Sequence, residues 1–299
     1  MAEKLPYFGY LAPEGLEENL EKELDVIQRY GRLFLSSTPP NKVFFAQNTW
    51  YEPFIAKISS ISNGASILKE IQRNWALYPY LFHRRATLIE DQLPHISKKK
   101  ISFGESAPKL PLGSWTLIDK DTMIASAKCS SLYPNGELHF NETKIPPSRA
   151  YLKLWEVFTL IQKMPKKDES CMELGASPGS WTYVLASLGA KVYAIDRAKI
   201  ETGIANLPNV SFQEGNAFSL KAKDFSNVSW LFSDLICFPE KLYDFILPWL
   251  DVCDNFICTI KLKGTVDHKI IEAFADIPGS RVMHLFHNKN ELTWIRLKK

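Results

Sequence analysis

The segment Glu173-Leu174-Gly175-Ala176-Ser177-Pro178-Gly179-Ser180-Trp181 has the residue types and spacing best suited to holding a nucleotide-like ligand. An apolar run, Cys171–Leu174, carries an acid, breaks at a Gly/Pro/Ser turn and gives way to a helical pattern over Ser180–Leu188. Strand, glycine turn and helix N-terminus, in that order, form the place where open α/β sheets receive such ligands. The glycines are spaced G-x-x-x-G, whereas dinucleotide-binding folds use G-x-G-x-x-G. Glu173, two residues before the first glycine, suits a neutral or cationic ligand better than a pyrophosphate.

S-adenosylmethionine is a ligand of that kind, with an amino-acid end, a ribose, an adenine and a sulfonium. Gly175 and Gly179 would let the backbone approach its methionyl part, because a Cβ at either position would crowd it. Asp196 ends a second strand-like run about twenty residues beyond Gly175, the spacing at which an acid accepts hydrogen bonds from ribose hydroxyls. Asn216, in the turn Glu214-Gly215-Asn216-Ala217, is placed for an adenine edge, although an ordinary turn carries the same residues. Asp234 closes the apolar run Trp230-Leu231-Phe232-Ser233, and Lys261 sits inside Phe256–Leu262. Lysine is rarely buried without a partner. The bland reading of Lys261 is a strand-end side chain reaching for water, with Lys263 marking the exit. Glu291 opens the last strand-like run.

These residues need a scaffold, and the C-terminal half supplies a regular one. Cys171–Leu174, Lys191–Asp196, Val210–Glu214, Trp230–Leu235 and Phe256–Leu262 read as strands. Ser180–Leu188, Pro239–Leu250 and Thr265–Ala275 read as the helices between them. Such alternation predicts a parallel sheet with right-handed crossovers. Arg281–His287 and Glu291–Leu297, joined only by a short turn, predict a closing antiparallel hairpin. The outline is an α/β sheet of the class I methyltransferase (Rossmann-like) kind. A helix precedes it, with Tyr151, Leu154, Phe158 and Ile161 on one face and Ser148 as its expected N-cap.

Pro146-Pro147-Ser148 stops one segment and starts another, and the boundary is placed between Asn141 and Ser148, dividing the chain into 1–144 and 145–299. The first part reads as a smaller α+β domain. Strands are expected at Tyr7–Leu11, Arg32–Ser36, Lys42–Gln47, Trp115–Asp119 and Thr122–Ala127, and helices at Glu14–Ile27 and Ile55–Asn74. No internal repeat or low-complexity tract is visible.

Composition narrows the class. With 45% hydrophobic and 23% charged residues, the chain is an ordinary globular sequence. No apolar run is long enough to span a membrane, and the N-terminus lacks a signal-peptide pattern. Five cysteines without a C-x-x-C pair suggest neither a disulfide frame nor a zinc site, so a reducing cytoplasm is expected. A net charge of +3 gives little pull toward a polyanion; His83-Arg84-Arg85 and Lys98-Lys99-Lys100 are the basic clusters to test against nucleic acid.

Pro147-Ser148-Arg149-Ala150-Tyr151-Leu152-Lys153-Leu154, followed by the Glu173–Trp181 turn, resembles the FtsJ-like RNA 2′-O-ribose methyltransferases. The likeness extends through Trp181-Thr182-Tyr183 and Asn290-Glu291-Leu292-Thr293. Within that group it is most like the bacterial M-type branch, which modifies a cytidine ribose of 23S ribosomal RNA. The resemblance covers about the last half of the chain. It implies S-adenosylmethionine held by Glu173, Gly175, Ala176, Ser177, Pro178, Gly179, Ser180, Trp181, Asp196, Asn216 and Asp234. It also implies a catalytic Lys-Asp-Lys-Glu tetrad at Lys153, Asp234, Lys261 and Glu291, and an RNA partner. Glu173 stands where many relatives have Asp, Ser180 where they have a second Gly, and Gly215-Asn216 where an acidic adenine contact is usual. Ala12-Pro13-Glu14-Gly15-Leu16-Glu17 resembles the opening of the family's ferredoxin-like and THUMP-like RNA-binding region, here shortened.

The chemistry implied is removal of a ribose 2′-hydroxyl proton and in-line positioning beside an activated methyl. Lys261 is the expected base. Its amine would be brought toward neutrality by nearby Lys153 and by partial desolvation; Asp234 would orient it and temper that shift by favouring the charged form, while Glu291 holds Lys153 or the ribose. A nicotinamide-dependent oxidoreductase would need G-x-G-x-x-G. Base N-methylation favours an Asn/Asp-Pro-Pro-aromatic loop where this chain has Ser233-Asp234-Leu235-Ile236. An RNA-binding protein with an inactive methyltransferase domain is the remaining alternative, and cofactor titration separates the two.

Overall fold

The computed structural model describes residues 2–262 and 267–298. It divides into two compact units, Met1–Asn141 and Glu142–Lys299.

The first unit holds two sheets. Strands β1 (Ala2–Lys4), β2 (Phe8–Leu11), β3 (Val26–Tyr30), β4 (Leu33–Ser36), β5 (Asn48–Trp50), β6 (Phe54–Lys57), β7 (Trp75–Leu77), β8 (Gly113–Asp119) and β9 (Thr122–Ser126) alternate with helices α1 (Glu17–Glu21), α2 (Ile61–Ile71) and α3 (His83–Glu90). The sheets run β1-β6-β9-β8-β7 and β3-β4-β2-β5. Trp75, Trp115, Leu117 and Met123 form a core with Leu68 of α2 and Ile89 of α3.

Three expectations for this unit are corrected. The helix expected over Glu14–Ile27 shrinks to α1, because Val26 and Ile27 pair into β3 against β4 and no side chain caps the N-terminus at Leu16. No strand forms over Lys42–Gln47. A 3-10 turn occupies Pro40–Lys42, and the N–H groups of Phe44 and Phe45 donate to Glu23 Oε2 at 2.8 and 3.0 Å, not to a neighbouring strand. The helix expected over Ile55–Asn74 begins only at Ile61, where the Ser60 side chain accepts the N–H of Asn63; the residues before it form β6.

The second unit is a seven-stranded sheet. It comprises α4 (Tyr151–Ile161), β10 (Ser170–Leu174), α5 (Ser180–Ser187), β11 (Lys191–Asp196), α6 (Thr202–Ala205), β12 (Val210–Glu214), β13 (Val228–Ser233), α7 (Pro239–Ile246), β14 (Cys253–Lys261), α8 (His268–Asp276), β15 (Ser280–Met283) and β16 (Glu291–Arg296). The order is β12-β11-β10-β13-β14-β16-β15; the first five strands are parallel, and β16 runs antiparallel to both its neighbours. The central strands are almost wholly buried, Phe256, Ile257, Cys258 and Ile260 of β14 included, as expected of a parallel sheet covered on both faces. The strand order reverses between β10 and β13, the switch point where α/β sheets bind ligands.

Smaller departures concern element ends. Ser148 does not cap α4; Ala150 holds that position, and the Ser148 hydroxyl instead pairs with Ser180 Oγ at 2.8 Å. The strand expected over Arg281–His287 stops at Met283. Lys263 and Thr265, named above as a solvent exit and a helix start, lie outside the described residues.

Candidate active site

Three neighbouring strand ends and one helix converge beside the switch point. Helix α4 is seated by Phe158, whose ring packs edge-on against Trp230 and Phe232 of β13 at 6.3 and 6.2 Å. One and a half turns earlier the same helix carries Lys153, so the packing that docks α4 also aims its amine. Trp181 of α5 supports that amine from a second side. Its indole N–H donates to Ala150 O at 2.9 Å, and Lys153 Nζ stands 5.5 Å from its ring centre.

Asp234 follows β13. Lys261 ends β14, and Glu291 opens β16 directly opposite it in the antiparallel ladder, so both side chains leave the same face. The four groups form a closed ring in which amines and carboxylates alternate. Lys153 Nζ donates to Asp234 Oδ1 and Oδ2 at 3.0 and 2.9 Å and to Glu291 Oε1 at 3.0 Å. Lys261 Nζ donates to Asp234 Oδ1 at 2.5 Å and to Glu291 Oε2. Thr259, two residues before Lys261 and so on the same strand face, adds a hydroxyl to Asp234 Oδ1 at 2.7 Å.

This arrangement corrects the expected electrostatics. The nearest groups to Lys261 are carboxylates, not the ammonium of Lys153. Burial alone would lower the Lys261 pKa, but Asp234 and Glu291, through charge and hydrogen bonding, hold it above the usual lysine value. Burial likewise works against the Asp234 carboxylate; the charges of Lys153 and Lys261, with the bonds from Lys261 and Thr259, keep it below the usual range.

A cleft of about 420 Å³ opens at the carboxyl ends of the strands, and Asp234 lies on its wall. Of the residues expected to hold a cofactor, Gly175, Ser177, Asp196, Asn216 and Asp234 line it; Glu173, Ala176, Pro178, Gly179, Ser180 and Trp181 do not. Asp196 is fixed by two backbone donors, Ser177 N to Oδ2 and Ala198 N to Oδ1, each at 2.9 Å. Glu173 is only 1% exposed. Its Oε2 meets the Thr182 hydroxyl at 2.6 Å, and burial raises its pKa to about 8, so it is an internal acid that braces the turn.

The backbone at both glycines also lies close against neighbouring protein segments. At Gly175 (φ +81°) a Cβ would sit 3.0 Å from Leu235 N and 3.1 Å from the Asp234 carbonyl carbon. At Gly179 (φ +113°) it would meet Ile204 at 3.2 Å. Both positions let neighbouring protein segments close up, and Gly175 lets Asp234 approach the turn.

Sequence reasoning missed Thr259, Phe218 and Lys241. Thr259 was legible by its two-residue offset from Lys261. The other two line the cleft, with Lys241 Nζ 4.2 Å from the Phe218 ring centre; no spacing signal marked them.

The match to a known family falls on this unit. Residues 146–285 fit the model described as FtsJ-like methyltransferase. That stretch is similar to the FtsJ-like methyltransferases. Proteins called ribosomal RNA large subunit methyltransferase M are similar to this chain. The one from Pseudoalteromonas atlantica is 28% identical over 55% of this chain and 51% of its own length. That from Halorhodospira halophila is 31% identical over 54% and 50%. The chain thus spans about half the length of the curated relatives it matches. Among solved structures, TrmN from Thermus thermophilus aligns over 98% of this chain and 99% of its own, with 13% identity and a TM-score of 0.36. Among the described residues, no helix is long and apolar enough to cross a membrane.

Proposed function

We propose that this protein transfers a methyl group from S-adenosylmethionine to a ribose 2′-hydroxyl of RNA, with a cytidine of large-subunit ribosomal RNA as target. The observation that carries this reading is the ring of Lys153, Asp234, Lys261 and Glu291 at the edge of a ligand-sized cleft. An RNA-binding protein without catalysis has no use for four charged groups of which two are buried and two largely so, since they are costly to desolvate.

The cleft suits the cofactor. Asp196 keeps lone pairs free for ribose hydroxyls, Phe218 and Ile236 offer apolar wall for an adenine, and Asn216 can reach its edge. Bound there, the cofactor supplies an electrophilic methyl. The chain's own residues then position the acceptor and move one proton. Lys261 is the more exposed of the two amines, with 16% of its side chain accessible against 9% for Lys153. In its neutral form it would receive the 2′-hydroxyl proton while the oxygen bonded to the methyl carbon and the methyl–sulfur bond broke, its electron pair left on sulfur. Lys153 and Glu291 hold the ring's geometry, and Asp234 fixes the direction of Lys261. The relatives' name, together with the resemblance of the closing Asn290–Thr293 stretch, supports ribosomal RNA as the substrate, and a cytoplasmic site of action follows from that substrate.

The test is to map ribose methylation in large-subunit ribosomal RNA from a strain lacking the gene, and to restore it in vitro with purified protein and labelled cofactor. One missing 2′-O-methyl group, restored by wild type but not by Lys261→Ala, is expected. An unchanged map would remove the ribosomal target. Absence of measurable cofactor binding would favour an inactive RNA-binding protein.

A further inference from the structure

Glu156 takes no part in the chemistry proposed above, yet it is a buried carboxylate with 3% exposure. It lies on α4 three residues after Lys153, so both side chains leave one face of the helix. Its Oε1 accepts the Phe286 N–H at 2.7 Å and its Oε2 the His287 N–H at 2.9 Å. His287 Nδ1 also stands 2.7 Å from Oε2 and donates to it in the tautomer carrying a proton there.

Phe286 and His287 belong to the segment between β15 and β16 that delivers Glu291 to the ring. That segment is braced internally. Asn288 N–H donates to Leu285 O at 3.0 Å, the Asn288 side-chain amide donates to Thr293 Oγ1 at 3.0 Å, and the Asn290 amide donates to Leu262 O at 2.9 Å. Helix α4 and the hairpin are therefore joined twice, once inside the ring by Lys153–Glu291 and once outside it by Glu156.

A single pair of long, rotatable side chains fixes a distance but leaves the elements free to pivot about it. A second tie, made by a carboxylate to two backbone amides, removes that freedom. We propose that Glu156 is a positioning residue that sets Glu291, and through it Lys153 and Lys261, in the geometry used for methyl transfer. The inference rests on the function proposed above.

The test compares Glu156→Ala, Glu156→Gln, Glu291→Gln and the double variant Glu156→Ala/Glu291→Gln in the full chain. Single-turnover transfer to undermethylated large-subunit RNA and cofactor affinity are measured for each. Glu156→Ala is expected to slow transfer by about 10- to 100-fold, the scale of a small misplacement of reacting groups, while cofactor affinity holds within about twofold. In the Glu291→Gln background the same change should cost nothing further, because its effect runs through Glu291. Glu156→Gln, which keeps one acceptor oxygen, should recover part of the rate. Equal fold losses in both backgrounds, or an unchanged rate, overturn the proposal. Should Glu156→Ala not fold, Glu156→Gln carries the same comparison. If wild type transfers no methyl group to RNA, the functional reading fails separately, and positioning is read from the NMR signal of the Lys153 ammonium. That signal must move in Glu156→Gln in the direction it moves in Glu291→Gln; an unmoved signal overturns the inference.

Discussion

At the scale of single residues, the site is governed by who neighbours whom. Lys261 between two carboxylates is held protonated through neutral pH, so its neutral form is scarce and grows tenfold per pH unit. The expected outcome is a single-turnover rate that rises with unit slope in log rate from about pH 6 to about pH 8, with cofactor and RNA saturating. A flat profile would argue against Lys261 as the proton acceptor. Lys261→Arg sharpens the test: it preserves the cation but cannot surrender a proton, and should lose at least about 100-fold in rate. Glu173 gives a prediction about stability. Its pKa near 8 lies above its unfolded value, so the folded state binds the proton more tightly. The stability this contributes is complete below about pH 4.5 and is lost as pH rises through about 8. Glu173→Gln should therefore flatten the pH dependence of urea unfolding between pH 5 and pH 8. Because Glu173 lies off the cleft wall, cofactor affinity should hold within about threefold. A variant that unfolds with the wild-type pH dependence would show that the buried acid is not the source.

At the scale of elements, the site depends on how closely segments approach. Gly175 is the tighter of the two glycines in the turn, with the backbone of Asp234 and Leu235 where a side chain would go. Gly175→Ala should cost about 1–3 kcal/mol in stability, from the positive φ and the clash together, and should reduce methyl transfer more than cofactor binding because Asp234 is displaced. Equal losses in both would place the glycine's role at the ligand instead. The elements of the second unit were largely legible in the sequence, since parallel strands buried on both faces read as mainly apolar runs such as Phe256–Leu262. Those of the first unit were less so. Val26 and Ile27 fit a helical spacing, and it is pairing with the next strand, β4, across the Gly31-Arg32 turn that makes them a strand. Lys153 shows the limit at the site: on a helix, one lysine among apolar neighbours carries no mark of function, and it was found through resemblance. The alternation of charges around the ring was not readable either. It is set by the pairing of β14 with β16, which brings together residues thirty positions apart.

At the scale of the whole molecule, the candidate catalytic groups are confined to one unit. The ring and cleft belong wholly to Glu142–Lys299. The basic clusters His83-Arg84-Arg85 and Lys98-Lys99-Lys100 belong to the other unit. In them Arg85 pairs with Asp121 and Lys98 with Glu90, while Arg84, Lys99 and Lys100 are exposed. If this unit holds RNA, Lys99→Glu/Lys100→Glu should weaken RNA binding by roughly tenfold at physiological salt, reduce the salt slope, and leave cofactor affinity untouched. RNA binding with unchanged affinity and slope would move the contact surface elsewhere.

The cross-strand pairing of Lys261 with Glu291 also bears on how the chain tolerates change in length. Surface connections ordinarily accept an extra residue at little cost. The segment between Met283 and Glu291 has no such latitude. One inserted residue that slipped β16 along β14 would set Asn290 or Leu292 opposite Lys261, and would turn every inward side chain of β16 outward. The length of that one connection is thus as much a part of the active site as any of its charges.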